Sequence, residues 1–168
     1  ENVAIGYSAM GNNFDNSATT DQCVAIGAFA MNGALNNADG NVAVGYKSLL
    51  GTTSGQKNTA IGYKSGENLT SGGNSVMIGN EAGNGVSTSY YHVLIGDHAG
   101  HKTLADHGTT AVGYYALANA TSGGYNTAIG YQSLEDNVAG EFNVGLGYQT
   151  LKEANSSQNT AIGYQSGM

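Results

Sequence analysis

The chain has 168 residues, the length of one ordinary domain, with 27 Gly, no Pro, no Trp and 10% charged residues, so neither a thick conventional core nor a self-repelling coil fits it. Net charge is −7 with five lysines (47, 57, 64, 102, 152) and no arginine, which leaves almost nothing to neutralise phosphate and excludes nucleic acid and anionic membranes as partners. No apolar run approaches the ~20 residues needed to span a bilayer, no signal-peptide pattern opens the chain, and a lone Cys23 excludes an internal disulfide framework.

Taken from the N-terminus, a pentapeptide of the Asn-Thr-Ala-Ile-Gly type recurs, ending at Gly6, Gly27, Gly45, Gly62, Gly79, Gly96, Gly113, Gly130, Gly147 and Gly163. Successive intervals are 21, 18, 17, 17, 17, 17, 17, 17 and 16 residues. The long first interval places an insertion of about four residues near positions 12 to 20, expected as a surface loop. Immediately before each glycine stands an aliphatic residue: Ile5, Ile26, Val44, Ile61, Ile78, Ile95, Val112, Ile129, Leu146 and Ile162. Three before it stands Val or Thr, a β-branched residue suited to a strand. Period-two alternation puts these two columns on one face, predicted to be the buried one. The small residue between them, mostly Ala, is predicted to leave the opposite face flat.

After the glycine comes Tyr in seven units, at 7, 46, 63, 114, 131, 148 and 164, then a small residue two positions on, then Leu, Met or Gly. The tyrosines are expected to stack from coil to coil, a structural role that competes with exposed sugar- or protein-binding aromatics. A second glycine recurs at Gly55, Gly72, Gly123 and Gly140, where the chain is expected to turn, giving two short strands and two turns per unit. Asn2, Asn41, Asn58, Asn126, Asn143 and Asn159 lie four before the repeat glycine and are expected to form a hydrogen-bonded amide ladder. None of the 17 charged residues falls in the ten pentapeptides.

This pattern predicts an all-β fold: a parallel β-solenoid, or β-roll, of about ten 17-residue coils forming a single repeat domain over 1–168. At ~4.8 Å per coil the rod is about 48 Å long. One coil buries little apolar area against ~1–2 kcal/mol of ordering entropy per residue, so a homotrimer is expected, paired through the flat Ala and Gly face. The motif is already running at Asn2 and still running at Tyr164, so the natural protein is expected to continue in both directions.

The run from Asn-x-Val/Thr into Ala-Ile-Gly and then Tyr-x-Ser-Leu resembles two groups. One is the head repeat of YadA-like trimeric autotransporter adhesins. The other is the repeat region of phage and bacterial tail fibres that precedes an endosialidase-type intramolecular chaperone; blocks 58–65, 126–134 and 159–166 are most similar to it. The resemblance covers essentially the whole chain and implies a trimeric, extracellular or virion fibre with a structural or adhesive role in host or surface attachment. The alternative is a tailspike-like domain that binds or cleaves glycans. A passive shaft that spaces a distal binding domain is the reading preferred within the fibre class.

Residues 79–108 depart most from the pattern, with Asn80 and Asp97 in the tyrosine column and all four histidines. Asn80, Tyr90, Tyr91, Asp97, His98 and His101 form the candidate ligand surface. His92, His98, His101 and His107 invite a metal reading, but their spacing around one coil is expected to point them apart. Only His92 and His107 are expected to approach each other, and the histidines are read as solvated, with no metal or cofactor. No Gly-x-Ser-x-Gly elbow is present, and the carboxylates Asp97 with Asp106, or Glu135 with Asp136, lack an aromatic cleft. No catalytic residue is assigned and the chain is not expected to be an enzyme.

Overall fold

The computed structural model describes residues 1–11, 20–102 and 106–168. Each repeat contributes one three-residue strand: β1 (Val3–Ile5), β2 (Val24–Ile26), β3 (Val42–Val44), β4 (Thr59–Ile61), β5 (Val76–Ile78), β6 (Val93–Ile95), β7 (Thr110–Val112), β8 (Thr127–Ile129), β9 (Val144–Leu146) and β10 (Thr160–Ile162). All ten join one parallel sheet in sequence order. Register keeps like over like: Val42 faces Thr59, Ala43 faces Ala60 and Val44 faces Ile61. The chain is therefore a parallel β-solenoid of about nine turns, and no helix occurs among the described residues. Apart from Thr20, the expected insertion lies outside the described residues.

The repeat glycines fix the corner after each strand. Their φ values lie between 122° and 137°, a region closed to residues with a Cβ. A Cβ on Gly113 would also lie 2.4 Å from the carbonyl oxygen of Gly130, so consecutive coils pass too closely there for any side chain.

Among the described residues the second strand expected in each unit is absent, and a backbone of alternating hand takes its place. The residues two and four beyond the glycine have positive φ in every unit, as at Lys47 (56°) and Leu49 (50°), or Gln149 (52°) and Leu151 (48°). A non-glycine residue in this conformation costs roughly 1–2 kcal/mol. The compensation is complete pairing between coils: Lys64 N–H donates to the Tyr46 carbonyl at 2.8 Å, and Leu49 N–H to the Ser65 carbonyl at 3.0 Å. Sequence periodicity misses this segment because a zigzag of alternating hand mimics the period of a strand.

Orientation of the strands is the reverse of the sequence expectation. The middle residue points inward and the Val/Thr and Ile/Val columns point outward: Ala60 is 0% exposed, whereas Ile61 is 38% exposed. Ala25, Ala43, Met77, Leu94, Ala111 and Ala128 share the inward orientation. The coil interior is narrow, and it is filled by the middle strand residue, the residues three and four beyond the glycine, and residues seven beyond it such as Leu69, Val86 and Ala120. Volume is exchanged between two of these columns. Ala25, Ala43, Ala111 and Ala128 lie in units with Met31, Leu49, Leu117 and Leu134, whereas Met77 and Leu94 lie in units with Gly83 and Gly100; the unit of Ala60 has Gly66, and there Leu49 and Met77 of the neighbouring coils fill the space. A Cβ on Gly83 would meet Met77 Sδ at 2.7 Å and Leu94 Cδ1 at 2.9 Å, so the large side chains already occupy that space.

The asparagine column is a ladder, as expected, and it does more than pair amides. Asn41 Oδ1 accepts the backbone N–H of Asn58 at 2.9 Å and its side-chain N–H at 3.1 Å. Asn143 Oδ1 does the same for Asn159, at 2.9 and 3.0 Å. The amide nitrogens donate to the second-glycine turn: Asn41 Nδ2 to Gly55 O at 2.7 Å, and Asn126 Nδ2 to Gly123 O and Gly140 O, both at 2.8 Å. Each buried amide thus ties its coil to the next and closes a turn.

Candidate functional site

The divergent coils keep this backbone and change its side chains. In the asparagine column Ser75, His92 and Thr109 replace Asn. Ser75 Oγ accepts the His92 N–H at 3.1 Å, and His92 Nδ1 accepts the Thr109 N–H at 3.3 Å. With Nδ1 accepting, Nε2 carries the proton and lies 2.9 Å from Ser89 Oγ. His92 is 0% exposed, not solvated as the sequence reading has it. Burial, reinforced by the nearby His107, lowers its pKa to about 4, so it is neutral at physiological pH. Its role is to stand in for an asparagine.

The outward positions two and five beyond the glycine form a polar stripe. Lys64 lies 3.3 Å from Glu67 in one coil, and Lys152 lies 3.2 Å from Glu135. In the last coils Gln132, Gln149 and Gln165 form an amide ladder at 2.7 and 2.9 Å. Between these segments the same stripe holds Glu81, His98 and His101.

Here the expectation that the histidines point apart fails. The His98 and His101 rings lie 4.7 Å apart between centroids, because two positions of opposite backbone hand separate them and bring both side chains to one side. Glu81 occupies the position of His98 one coil earlier, and its Oε2 lies 3.5 Å from His98 Nε2 and 3.5 Å from His101 Nδ1. Asp97 Oδ1 contacts His98 Nδ1, and Asn80 Nδ2 donates to Asp97 Oδ2 at 3.4 Å. Tyr115 stacks on His98 at 4.8 Å. The one ligand-atom cluster of metal-binding type among the described residues is Glu81, His98 and His101, whose atoms all lie within 4.8 Å of one another. Glu81 and Tyr115 are not among the residues singled out from sequence. Their signal is positional: each lies 17 residues from His98, one coil above or below it.

The candidate surface divides into two groups with different neighbours. Asn80, Asp97, His98 and His101 belong to the cluster above. Tyr90 and Tyr91 belong to another, where Tyr90 N–H donates to His107 Nδ1 at 3.0 Å and Tyr90 O–H to the Ser71 carbonyl at 2.9 Å. Tyr90 also lines a depression of about 270 Å³ with Ser54, Gln56, Ser71, Gly73 and Asn74. His92 and His107 approach each other as expected, near enough for His107 to act on the His92 charge, but differ in setting: one is buried in the coil and the other exposed.

The tyrosine column stacks along the rod as expected. Tyr114, Tyr131, Tyr148 and Tyr164 follow one another at 5.1, 5.2 and 5.2 Å with rings within 13° of parallel. The carboxylates weighed for catalysis make bonds between coils: Asp106 Oδ2 accepts the Gly123 N–H at 2.8 Å, Asp136 Oδ1 accepts from Asn119 Nδ2 at 2.7 Å, and Glu135 pairs with Lys152. Cys23 is buried, and its thiol donates to the Ala38 carbonyl at 3.1 Å; burial raises its pKa. No helix of the described residues is long and apolar enough to cross a membrane. Comparison with family models, with curated proteins and with solved structures returned no match for this chain.

Proposed function

We propose that the chain is a structural shaft segment of a homotrimeric fibre, extracellular or on a virion, whose role is to hold an attachment function at a distance. The observation that carries this reading is the outward face of the sheet. Two columns of side chains run its whole length, Val or Thr in one and Ile, Val or Leu in the other, with no charge in any of the ten strands. A solvated sheet face alternates toward polar residues, and this one does not.

The face repeats coil by coil at the strand spacing, so a partner that fits it along its length needs the same spacing. A further copy of the same chain supplies it. The face is only two side chains wide, a shape suited to three strips converging on an axis, and closed rotational symmetry avoids open-ended polymerisation. Covering what remains exposed contributes on the order of 1 kcal/mol per side chain, summed over ten coils. The tyrosine ladder, stacked flat outside the strands, stiffens the rod. The resemblance to trimeric fibre repeats supports the same assembly.

Sedimentation and light scattering at micromolar concentration test it. The expected particle has three times the 17.1 kDa chain mass, and Ile61→Asp with Ile129→Asp abolishes it while leaving the coil backbone folded. A stable, folded wild-type monomer overturns the assembly.

A further inference from the structure

We propose that Glu81, His98 and His101 form a binding site for a divalent first-row transition ion, with Zn²⁺ the best fit. Two imidazole nitrogens and a carboxylate oxygen are the donor set of an open zinc site, which leaves a fourth position for water or another ligand.

The distances favour an ion over hydrogen bonds. Glu81 Oε2 lies 3.5 Å from each imidazole nitrogen, beyond the 2.7–3.2 Å of a normal N–H···O bond. Ligand atoms held about 2.0–2.1 Å from a tetrahedral metal lie roughly 3.3 Å from one another, close to the 3.5 Å from Glu81 Oε2 to each imidazole nitrogen. His101 Nδ1 is buried and accepts or donates no hydrogen bond.

Orientation is also provided. Asp97 takes the Nδ1 proton of His98, which leaves Nε2 with its lone pair directed at the Glu81 side. This carboxylate–histidine pairing is the usual outer support of a metal ligand, and Asn80 in turn holds Asp97. Tyr115 packs flat against the His98 ring and restricts its rotation. The arrangement joins two coils: Glu81 comes from one, and Asp97, His98 and His101 from the next. An ion therefore clamps adjacent turns of the solenoid at its most divergent point.

Calorimetric titration of the full chain with Zn²⁺ alone, checked by chelator competition, tests the site. One ion per chain is expected, with a rise in melting temperature that the chelator reverses. His98→Ala, His101→Ala and Glu81→Gln each weaken binding by at least about 100-fold, Asp97→Asn by about 10- to 100-fold, and His107→Gln leaves it unchanged. Co²⁺ in place of Zn²⁺ gives the visible bands of a four-coordinate ion in the wild type and not in Glu81→Gln. Glu81→Gln is nearly isosteric and retains the fold, so it decides the matter even if a histidine variant misfolds. Absence of Zn²⁺ binding to the wild type, or binding undiminished in Glu81→Gln and His101→Ala, overturns the proposal.

Discussion

The coils over 110–163 and those over 76–108 share one backbone and differ in almost every side-chain column. In the first group the asparagine, alanine, leucine and tyrosine columns are nearly uniform. In the second, Asn gives way to Ser75 and His92, Ala to Met77 and Leu94, Leu to Gly83 and Gly100, and Tyr to Asn80 and Asp97. Register does not slip between them: Val76 faces Val93, and Val93 faces Thr110. What is held constant is the glycine corner and the pairing of backbone groups between coils. Side chains are exchangeable where their volume and hydrogen-bonding capacity are conserved across the coil.

The glycine corner is where this comparison can be broken most sharply. Gly113→Ala is expected to cost about 4 kcal/mol or more, because the methyl group meets the Gly130 carbonyl while φ stays at 137°. Gly163→Ala has the same conformational penalty with nothing within 4 Å, so it is the milder of the two. Chemical denaturation of both variants at one chain concentration measures the steric part, and equal losses would show that only φ matters.

A second experiment exchanges volume between columns. Met77→Ala alone is expected to cost roughly 2–5 kcal/mol and Gly83→Leu alone roughly 1–3 kcal/mol, from a cavity and from overpacking. Combined, they rebuild the Ala and Leu pairing of coils such as that of Ala128 and Leu134, and most of the loss should return. A double-mutant cycle reads the coupling, and additive losses would contradict the exchange.

The smallest effect is electrostatic and concerns His92. Its folded pKa of about 4 lies below the ordinary value of 6.5, so the fold binds the neutral ring. The resulting stability is fully present above pH 6.5 and is lost as pH falls toward 4, by up to roughly 3 kcal/mol. His92→Asn restores the column's usual residue and should flatten that part of the stability curve. Melting temperatures between pH 7 and pH 4 compare the two, and identical slopes would remove His92 from the acid response.

Much of the fold is legible in the residues. Ten glycines at an interval near 17 give coil number, boundaries and register, because only a glycine fits a corner where consecutive backbones nearly touch. The asparagines at a fixed offset reveal their ladder, since a buried amide repeated once per coil has the neighbouring coils as partners. The candidate site is only half legible. Asn80, Asp97, His98 and His101 stand out as departures from the repeat, but Glu81 does not, because a carboxylate in an outward column looks like any solvated charge until the coil above it is placed.

By itself, then, the sequence determined the period, the parallel in-register stacking and the identity of each column. Tertiary structure alone decided which side of each strand is inside. Alternation states that the residues flanking Ala60 share a face, but with Thr59, Ala60 and Ile61 in a strand of three it carries no strong polar contrast to say which face meets water. The answer comes from the rest of the interior: large side chains from the opposite wall or, beside Ala60, Leu49 and Met77 from the neighbouring coils leave room for an alanine, and the bulkier isoleucines are turned out.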